Sequence, residues 1–446
     1  MKRAIAILAA CLILCGITSC GAKPNEDVKV YAPEDTLTGT LEIAVISTYG
    51  YDTFVNAFTT KHPGVDIKLT SFPNPQTANT ILSTKFMAGE GFDIIDLSTL
   101  PVREYADKGY LVDLSAYMEA DMNFDKTAYN ANVFDAMRYK GMLYTMPSAY
   151  RHDFVSINKN APAALIEEFS QLKSISLTKM IDMYSRSGMQ NDFTIYKNPS
   201  MLYAMSKDME TYIDYEAKTC SFNTPAFIEK IQLYKEAFGA VENAGNYNLL
   251  QPDALGVNRM NDGEYSAMYL FNDSRAISDS YLHMGYDELY FSPPKPLVDD
   301  NGALYARPLE VHAITSFCED KALAWEFIKF VTSEEAQALR GAFGVPVHLV
   351  AMETLVAAEL MNTLEYYNEN GGPYSPIDET QFIANALAIY TGASELPISI
   401  NMNIGLDASS IEVILWNELE AFATSSVTAE QAAENIQKRI SIALSE

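Results

Sequence analysis

The stretch Tyr144–Asn160, YTMPSAYRHDFVSINKN, has apolar residues on both sides (Met146, then Phe154, Val155 and Ile157) yet carries Tyr150, Arg151, His152 and Asp153 in a row between them. The polar run has no helical periodicity, so the stretch does not read as a single secondary-structure element. A ring, a cation, an imidazole and a carboxylate side by side within core-like sequence are either incidental or the mark of a chain crossing an open cleft, with the polar run facing a guest.

Around this crossing, short β-leaning runs alternate with amphipathic helices. TLEIAVIS (40–47) and VDIKLTSF (65–72) read as strands that flank the helical YDTFVNAFTTK, which stops at His62-Pro63-Gly64. ANTILSTKFMAGE (78–90) is a second helix, FDIIDLS (92–98) a third strand, and PVREYADKG (101–109) is again helical. Strand and helix in alternation imply an α/β fold with a largely parallel sheet, in which ligands sit beyond the carboxyl ends of the strands. Those ends carry Ser47-Thr48-Tyr49, Phe72-Pro73-Asn74 and Ser98-Thr99. They hold hydroxyls, amides and rings without a glycine-rich phosphate loop, so nucleotide binding has little support. From 161 to 244 the pattern turns mainly helical. The three prolines of YFSPPKPLVDDNGALYARPLEVHAITSF (290–317) around positions 293–296 require extended chain, and the tail from Ser409 reads as two helices split near 424–426.

A chain of 446 residues exceeds one ordinary core, so two domains are the default. Lys2 and Arg3, the apolar run Ala4–Ile17 and small residues up to Cys20 have the make-up of a secretory signal, too short and differently flanked for a spanning helix. Residues 21–40 are polar and aperiodic and read as a flexible stalk. The net charge of −27 argues against nucleic acid or anionic lipid as a partner. Three of the five cysteines lie in the leader, leaving Cys220 and Cys318, expected to be unpaired. Scattered histidines without Cys/His spacing give no support to a metal site, and no cofactor is implied.

Seven segments, in order over about 400 residues, resemble the extracellular solute-binding proteins of ABC transporters, in the large group that binds mono- and oligosaccharides. They are FVNAFTTKHPGVDI, FMAGEGFDIIDLS with YADKGYLVDLSAYM, the crossing YKGMLYTMPSAYRHDFVSINKN, MNDGEYSAMYLFNDS, KALAWEFIKFVTSEEAQ, GVPVH and VTAEQAAENIQKRI. ITSC-G also resembles a lipoprotein processing site. That implies a signal peptide over 1–19, a lipidated Cys20, a stalk over 20–39 and a tether on the extracellular face of the membrane (the periplasmic side in a Gram-negative cell). The resemblance further implies a two-lobe, type II periplasmic-binding-protein-like fold with hinge crossings and a cleft between the lobes. Lobe 1 would comprise 40–149 and 308–350, and lobe 2 would comprise 150–307 and 351–446. The partners implied are a sugar and the permease subunits, for a monomer without catalysis.

A sugar receptor needs flat rings for C–H faces and bidentate polar groups for hydroxyl edges. The candidates are Thr48 and Tyr49 before the first helix, Phe72 and Asn74 at the second strand tip, and Ser98 and Thr99 at the third, where helix capping is the alternative role. At the crossing they are Tyr150 and Arg151. A guanidinium there could clamp vicinal hydroxyls or a uronate carboxylate, or simply form a surface ion pair. The resemblance adds Asn272, Asp273 and Arg275, then Asn403 and Asp407. Glu310 sits at a second crossing, as hinge or ligand contact. Two other functions compete: the same fold holding a polyamine or small organic anion, or an exported glycoside hydrolase, which needs opposed carboxylates such as Asp273, Glu310 and Asp407. The family often places tryptophan in the cleft. Here Trp325 and Trp416 fall on helix positions that look packed, which passes the stacking role to tyrosine.

Overall fold

The structure, a computed structural model, describes residues 28–32, 35–46, 50–157, 161–187, 208, 211–215, 217–239, 268–272, 293–340, 344–370, 379–400, 411–423 and 426–445. Strand β1 (Thr38–Val45) runs parallel to β2 (Gly64–Ser71) from Thr38↔Gly64 to Val45↔Ser71, with helix α1 (Tyr51–Lys61) between them. Helix α2 (Pro75–Met87) returns the chain to β3 (Ile94–Asp96), parallel to β1 on its other edge. Strand β3 and the end of β1 are buried on both faces, whereas the edge strand β2 alternates and buries only Val65. Helices α3 (Val102–Asp107), α4 (Ser115–Ala120) and α5 (Ala131–Ala136) follow, then β4 (Met146–Arg151) and β5 (Asp153–Ile157). The helix expected over 101–109 is α3, stopped before Gly109 at φ 72°, and a further helix starts at Ser115.

The next part comprises α6 (Ala163–Ser170), β6 (Ile175–Ser176), α7 (Leu177–Ser187), the hairpin β7 (Ile213–Asp214) and β8 (Thr219–Cys220), α8 (Pro225–Gly239) and β9 (Met268–Asn272). Strand β10 (Lys295–Val298) leads into β11 (Leu304–Ile314), the longest strand described. Helices α9 (Lys321–Val331) and α10 (Glu334–Arg340), strand β12 (Val345–Pro346), helices α11 (Leu349–Asn370) and α12 (Glu379–Ser394), strand β13 (Ile398–Ile400), and helices α13 (Ile411–Ala423) and α14 (Ala429–Ser445) complete the order. The main path of the sheet is β2-β1-β3-β11-β10-β5-β9, with β3 and β11 antiparallel.

Buried apolar side chains fall into two large clusters. The first gathers β1–β3, α1–α5, β4, the end of β11 and α9, with Trp325, Phe54, Phe58 and Phe327 at its centre. Each such large side chain contributes roughly 2 kcal/mol on burial. The second gathers β5, α6–α8, Leu297, Tyr305, α13 and α14. Two sequence expectations change here. Met352, Val356 and Leu360 of α11 and Ala386 and Tyr390 of α12 join the first cluster, although 351–446 was read as the second lobe. Val28, Val30 and Tyr31 pack on the first cluster, so that part of the expected stalk is docked by its apolar side chains. Tyr31 donates to Asp320 Oδ2 at 2.8 Å, and Asp320 also caps α9. Cys318 lies in the first cluster and Cys220 beside the second, and both are free thiols.

Each core contains a buried carboxylate held by donors. Asp208 in the second accepts from the Tyr305 hydroxyl at 2.6 Å and pairs with Lys230, which also reaches Asp300 at 2.9 Å. Asp121 in the first accepts from Trp325 Nε1 at 3.0 Å, Lys329 Nζ at 2.7 Å and the Asn123 amide at 2.9 Å. Burial alone would raise the Asp121 carboxyl, but these donors hold it below the usual carboxylate range. Asp121→Ala should therefore lower unfolding stability by roughly 2–3 kcal/mol, because it strands the Trp325 indole N–H and leaves the Lys329 ammonium with Glu326 as its one described carboxylate. Because the folded-state pKa is depressed, the Asp121 contribution is complete above the usual carboxylate pKa and is lost as pH falls through the depressed one. Denaturant titrations of Asp121→Asn and wild type should accordingly converge in acid.

Candidate ligand-binding site

The opening stretch proves to be a change of sheet partner. Up to Arg151 the chain is β4, paired antiparallel with β11 from His312↔Met146 to Arg307↔Arg151. From Asp153 it is β5, paired with β9 and β10, starting at Asp153↔Asn272. Strand β4 belongs to the first core and Val155 and Ile157 of β5 to the second, so His152 marks the passage between them. Strand β11 makes the same passage, with Tyr305 in the second core and Ala306 and Val311 in the first.

At this ribbon the backbone is strained. Glu310 has φ 48°, in the left-handed region that costs a residue with a Cβ roughly 1–2 kcal/mol. Pairing is interrupted there but the register on either side is unchanged, and Ser148 opposite donates to Glu310 Oε2 at 2.5 Å. A side chain on Gly344, just before β12, would fall 2.6 Å from Leu309 Cδ1 and 2.9 Å from the Tyr150 carbonyl. Only glycine lets a third segment approach here. Such over-determined strain is characteristic of hinges and ligand sites.

The candidates separate by placement. Thr48, Tyr49, Asp273, Arg275, Asn403, Asp407 and Cys20 lie outside the described residues, as does the side chain of Asn272. Phe72 is a core ring set edge-on against Phe92, because its strand end turns inward. Tyr150 is also core, 1% exposed, and its hydroxyl accepts from Asn130 Nδ2 at 3.2 Å. Neither ring is free to lie on a guest. Asn74 caps α2 by accepting from the Thr77 amide at 2.8 Å. Ser98 donates to Asp96 Oδ1 at 2.5 Å and accepts from the Val311 amide at 3.2 Å, tying the tip of β3 to β11. Arg151 is half-buried at the passage, and Glu310 faces Ser148 across the ribbon.

Thr99 differs, since its hydroxyl is buried and bonds to nothing described. One helix turn further on is a residue that the sequence reading missed. Arg103 on α3 has its guanidinium carbon 5.4 Å from the ring centre of Tyr139 and 4.7 Å from that of Tyr215, with Nε and Nη1 buried and without hydrogen-bond partners. Tyr139 is in the first core and Tyr215 packs on the second, so this cation stands where the two meet. In sequence Arg103 looks like half of a helical pair with Asp107 four residues on, which hid it.

His152 is 2% exposed and neither ring nitrogen has a partner; it is packed among Tyr150, Phe154 and Tyr390. Burial lowers its pKa to about 4 and raises that of neighbouring Asp153 to about 7. The imidazole therefore costs stability as pH falls from its unfolded value near 6.5 to about 4, whereas the carboxyl costs stability as pH rises from near 3.8 to about 7. The two slopes oppose. Asp153→Asn should make stability climb more steeply with pH than wild type across this window, and His152→Gln should make it climb less, as followed by denaturant midpoints. Thr99→Val removes a hydroxyl that bonds nothing described, so thermal unfolding should show equal or greater stability, by up to about 1 kcal/mol.

No group of His, Cys, Asp and Glu among the described residues is arranged to hold a metal ion, and no described helix is long and apolar enough to cross a membrane. The profile of the bacterial extracellular solute-binding protein family matches residues 46–338. Solved structures share the fold at low identity. A family 1 extracellular solute-binding protein of Alicyclobacillus acidocaldarius superposes with TM-score 0.61 at 15% identity, covering 93% of this chain and 100% of its own. The sugar-binding protein MalE of Xanthomonas citri gives 0.60 at 16%, covering 91% and 98%. An ABC substrate-binding protein of Listeria monocytogenes in complex with cycloalternan gives 0.56 at 16%, covering 90% and 98%. Two cores joined by a strained ribbon thus have the two-lobe, type II binding-protein architecture, and the chain belongs to the bacterial extracellular solute-binding protein family.

Proposed function

We propose that the protein captures a carbohydrate between its two lobes and delivers it, unaltered, to the permease subunits of an ABC transporter. One observation carries this reading: two separate cores exchange strands at a ribbon under local strain, with undersatisfied polar groups of Thr99, Arg103 and His152 beside it. An arrangement of this kind can move between two lobe settings, and a guest that binds one better shifts the population towards it. Hydroxyl and guanidinium donors suit the hydroxyl edge of a sugar. The cycloalternan complex of the Listeria monocytogenes neighbour and the sugar-binding neighbour of Xanthomonas citri favour a sugar over a polyamine.

We assign the first lobe to 40–149 with 308–350 and the second to 150–307 with the tail, the helices α11 and α12 riding on the first core. Cleavage before Cys20 and its lipidation would tether the mature chain to the outer face of the membrane. Binding proceeds without turnover, as a single chain. Glu310 serves the hinge, because Ser148 already holds its carboxylate.

Titration of the mature chain with a panel of oligosaccharides, read by thermal shift, tests this. A sugar at 100 times its Kd should add ~2.7 kcal/mol of stability and be recovered intact. Thr99→Val should weaken that sugar while leaving the unliganded protein as stable as wild type. Stabilisation by polyamines alone, or release of shorter sugars, would contradict the proposal.

A further inference from the structure

The acidity of the chain makes the isolation of Arg103 informative. With 58 Asp and Glu against 31 Lys and Arg, a surface arginine finds a carboxylate easily. Arg103 has two within reach by sequence, and both are taken. Glu104 is bound by Lys108 at 2.5 Å. Asp107, four residues along α3 and the natural helical partner of Arg103, accepts Lys140 at 2.6 Å on Oδ1 and the Tyr139 hydroxyl at 2.9 Å on Oδ2. Burial would raise the Asp107 carboxyl, but the Lys140 and Tyr139 hydrogen bonds hold it below the usual range, with Lys218 of the β7–β8 hairpin adding to the effect. No carboxylate of the described residues lies within ion-pair distance of Arg103, while two of its donor atoms are dry. Tyr139 and Tyr215 offer ring faces to the charge, and these cannot accept hydrogen bonds as an anion does.

The position of Arg103 points the same way. Arg103 lies just beyond the carboxyl end of β3, where a parallel sheet presents ligands, and between a ring of the first core and one packed on the second. Thr99, with its own dry hydroxyl, precedes it on the same segment. We infer that the missing partner is the carboxylate of the ligand, so the captured saccharide is an acidic one, carrying a uronic acid unit that Arg103 engages by charge-assisted hydrogen bonds. This deepens the carbohydrate reading and presupposes it. Lysines draw the internal acids away, leaving this guanidinium for the guest.

Isothermal titration of the mature chain and of Arg103→Gln with oligogalacturonides, with their methyl esters, and with neutral malto-, cello- and xylo-oligosaccharides tests the assignment. Wild type should bind an oligogalacturonide, with affinity falling as salt rises, and esterification or Arg103→Gln should each raise Kd at least about tenfold. Combining the two should add little. Binding of a neutral sugar that Arg103→Gln leaves unchanged would overturn the acidic assignment while the carbohydrate reading stands. A change in the unliganded scattering profile of Arg103→Gln, with Kd for the oligogalacturonide unaltered, would make Arg103 a contact between lobes and also overturn it. Silence across the whole panel would remove both readings.

Discussion

Strand β11 hydrogen-bonds to β3 and β4 along its C-terminal part and to β10 and β13 at its N-terminal end, so a single extended segment belongs to both halves of the molecule. Its register against β4 is the constraint on which the rest depends. A slip of one residue would turn Val311 and Ala313 away from the first core and Tyr305 away from the second, because side chains alternate across a strand. The register survives the interruption at Glu310, where a left-handed residue is held by Ser148. Rigidity on both sides of a strained point is what a hinge requires: each core moves as a packed body and the distortion is confined to a few dihedrals.

The treatment of charge follows from the same division. Within the cores, Asp121 is engaged by Trp325 and Lys329 and Asp208 by Tyr305 and Lys230, whereas buried Asp153 at the passage has its pKa raised by desolvation alone. Buried polar groups without a described partner occur at the passage and at the tip of β3, at Thr99, Arg103 and His152, and also elsewhere, at Thr145 just before β4 and Ser156 within β5. Those at the passage lie where the two cores meet and carry the site proposed above.

Much of this was legible in the residues. Helix and strand alternation from 40 to 109 predicted the parallel strands, and the Pro-containing run near 293–308 predicted extended chain, realised as β10 and β11. The polar quartet from Tyr150 to Asp153 marked the passage between cores, although alternation along β4 turns Tyr150 into the core and leaves Arg151 at the boundary. Local sequence could not say which core α11 and α12 would join, since an amphipathic helix does not name its partner. Nor could it tell a strand-tip hydroxyl that closes a turn, as Ser98 does, from one left without a bond, as at Thr99. Arg103 was hidden for a related reason, because its natural partner Asp107 is claimed by Lys140, which is distant in the chain.

In the proposed function two packed bodies swing about the β4–β11 ribbon when a small guest binds. The distance between spin labels at Met87, on α2 of the first body, and Ile442, on α14 of the second, in a Cys220→Ser background reports that motion; both sites are exposed. The account predicts a distribution that shifts and narrows with saturating saccharide, and does so less completely in Ser148→Ala, where the Glu310 contact is lost. A single distance that no bound ligand alters would contradict it.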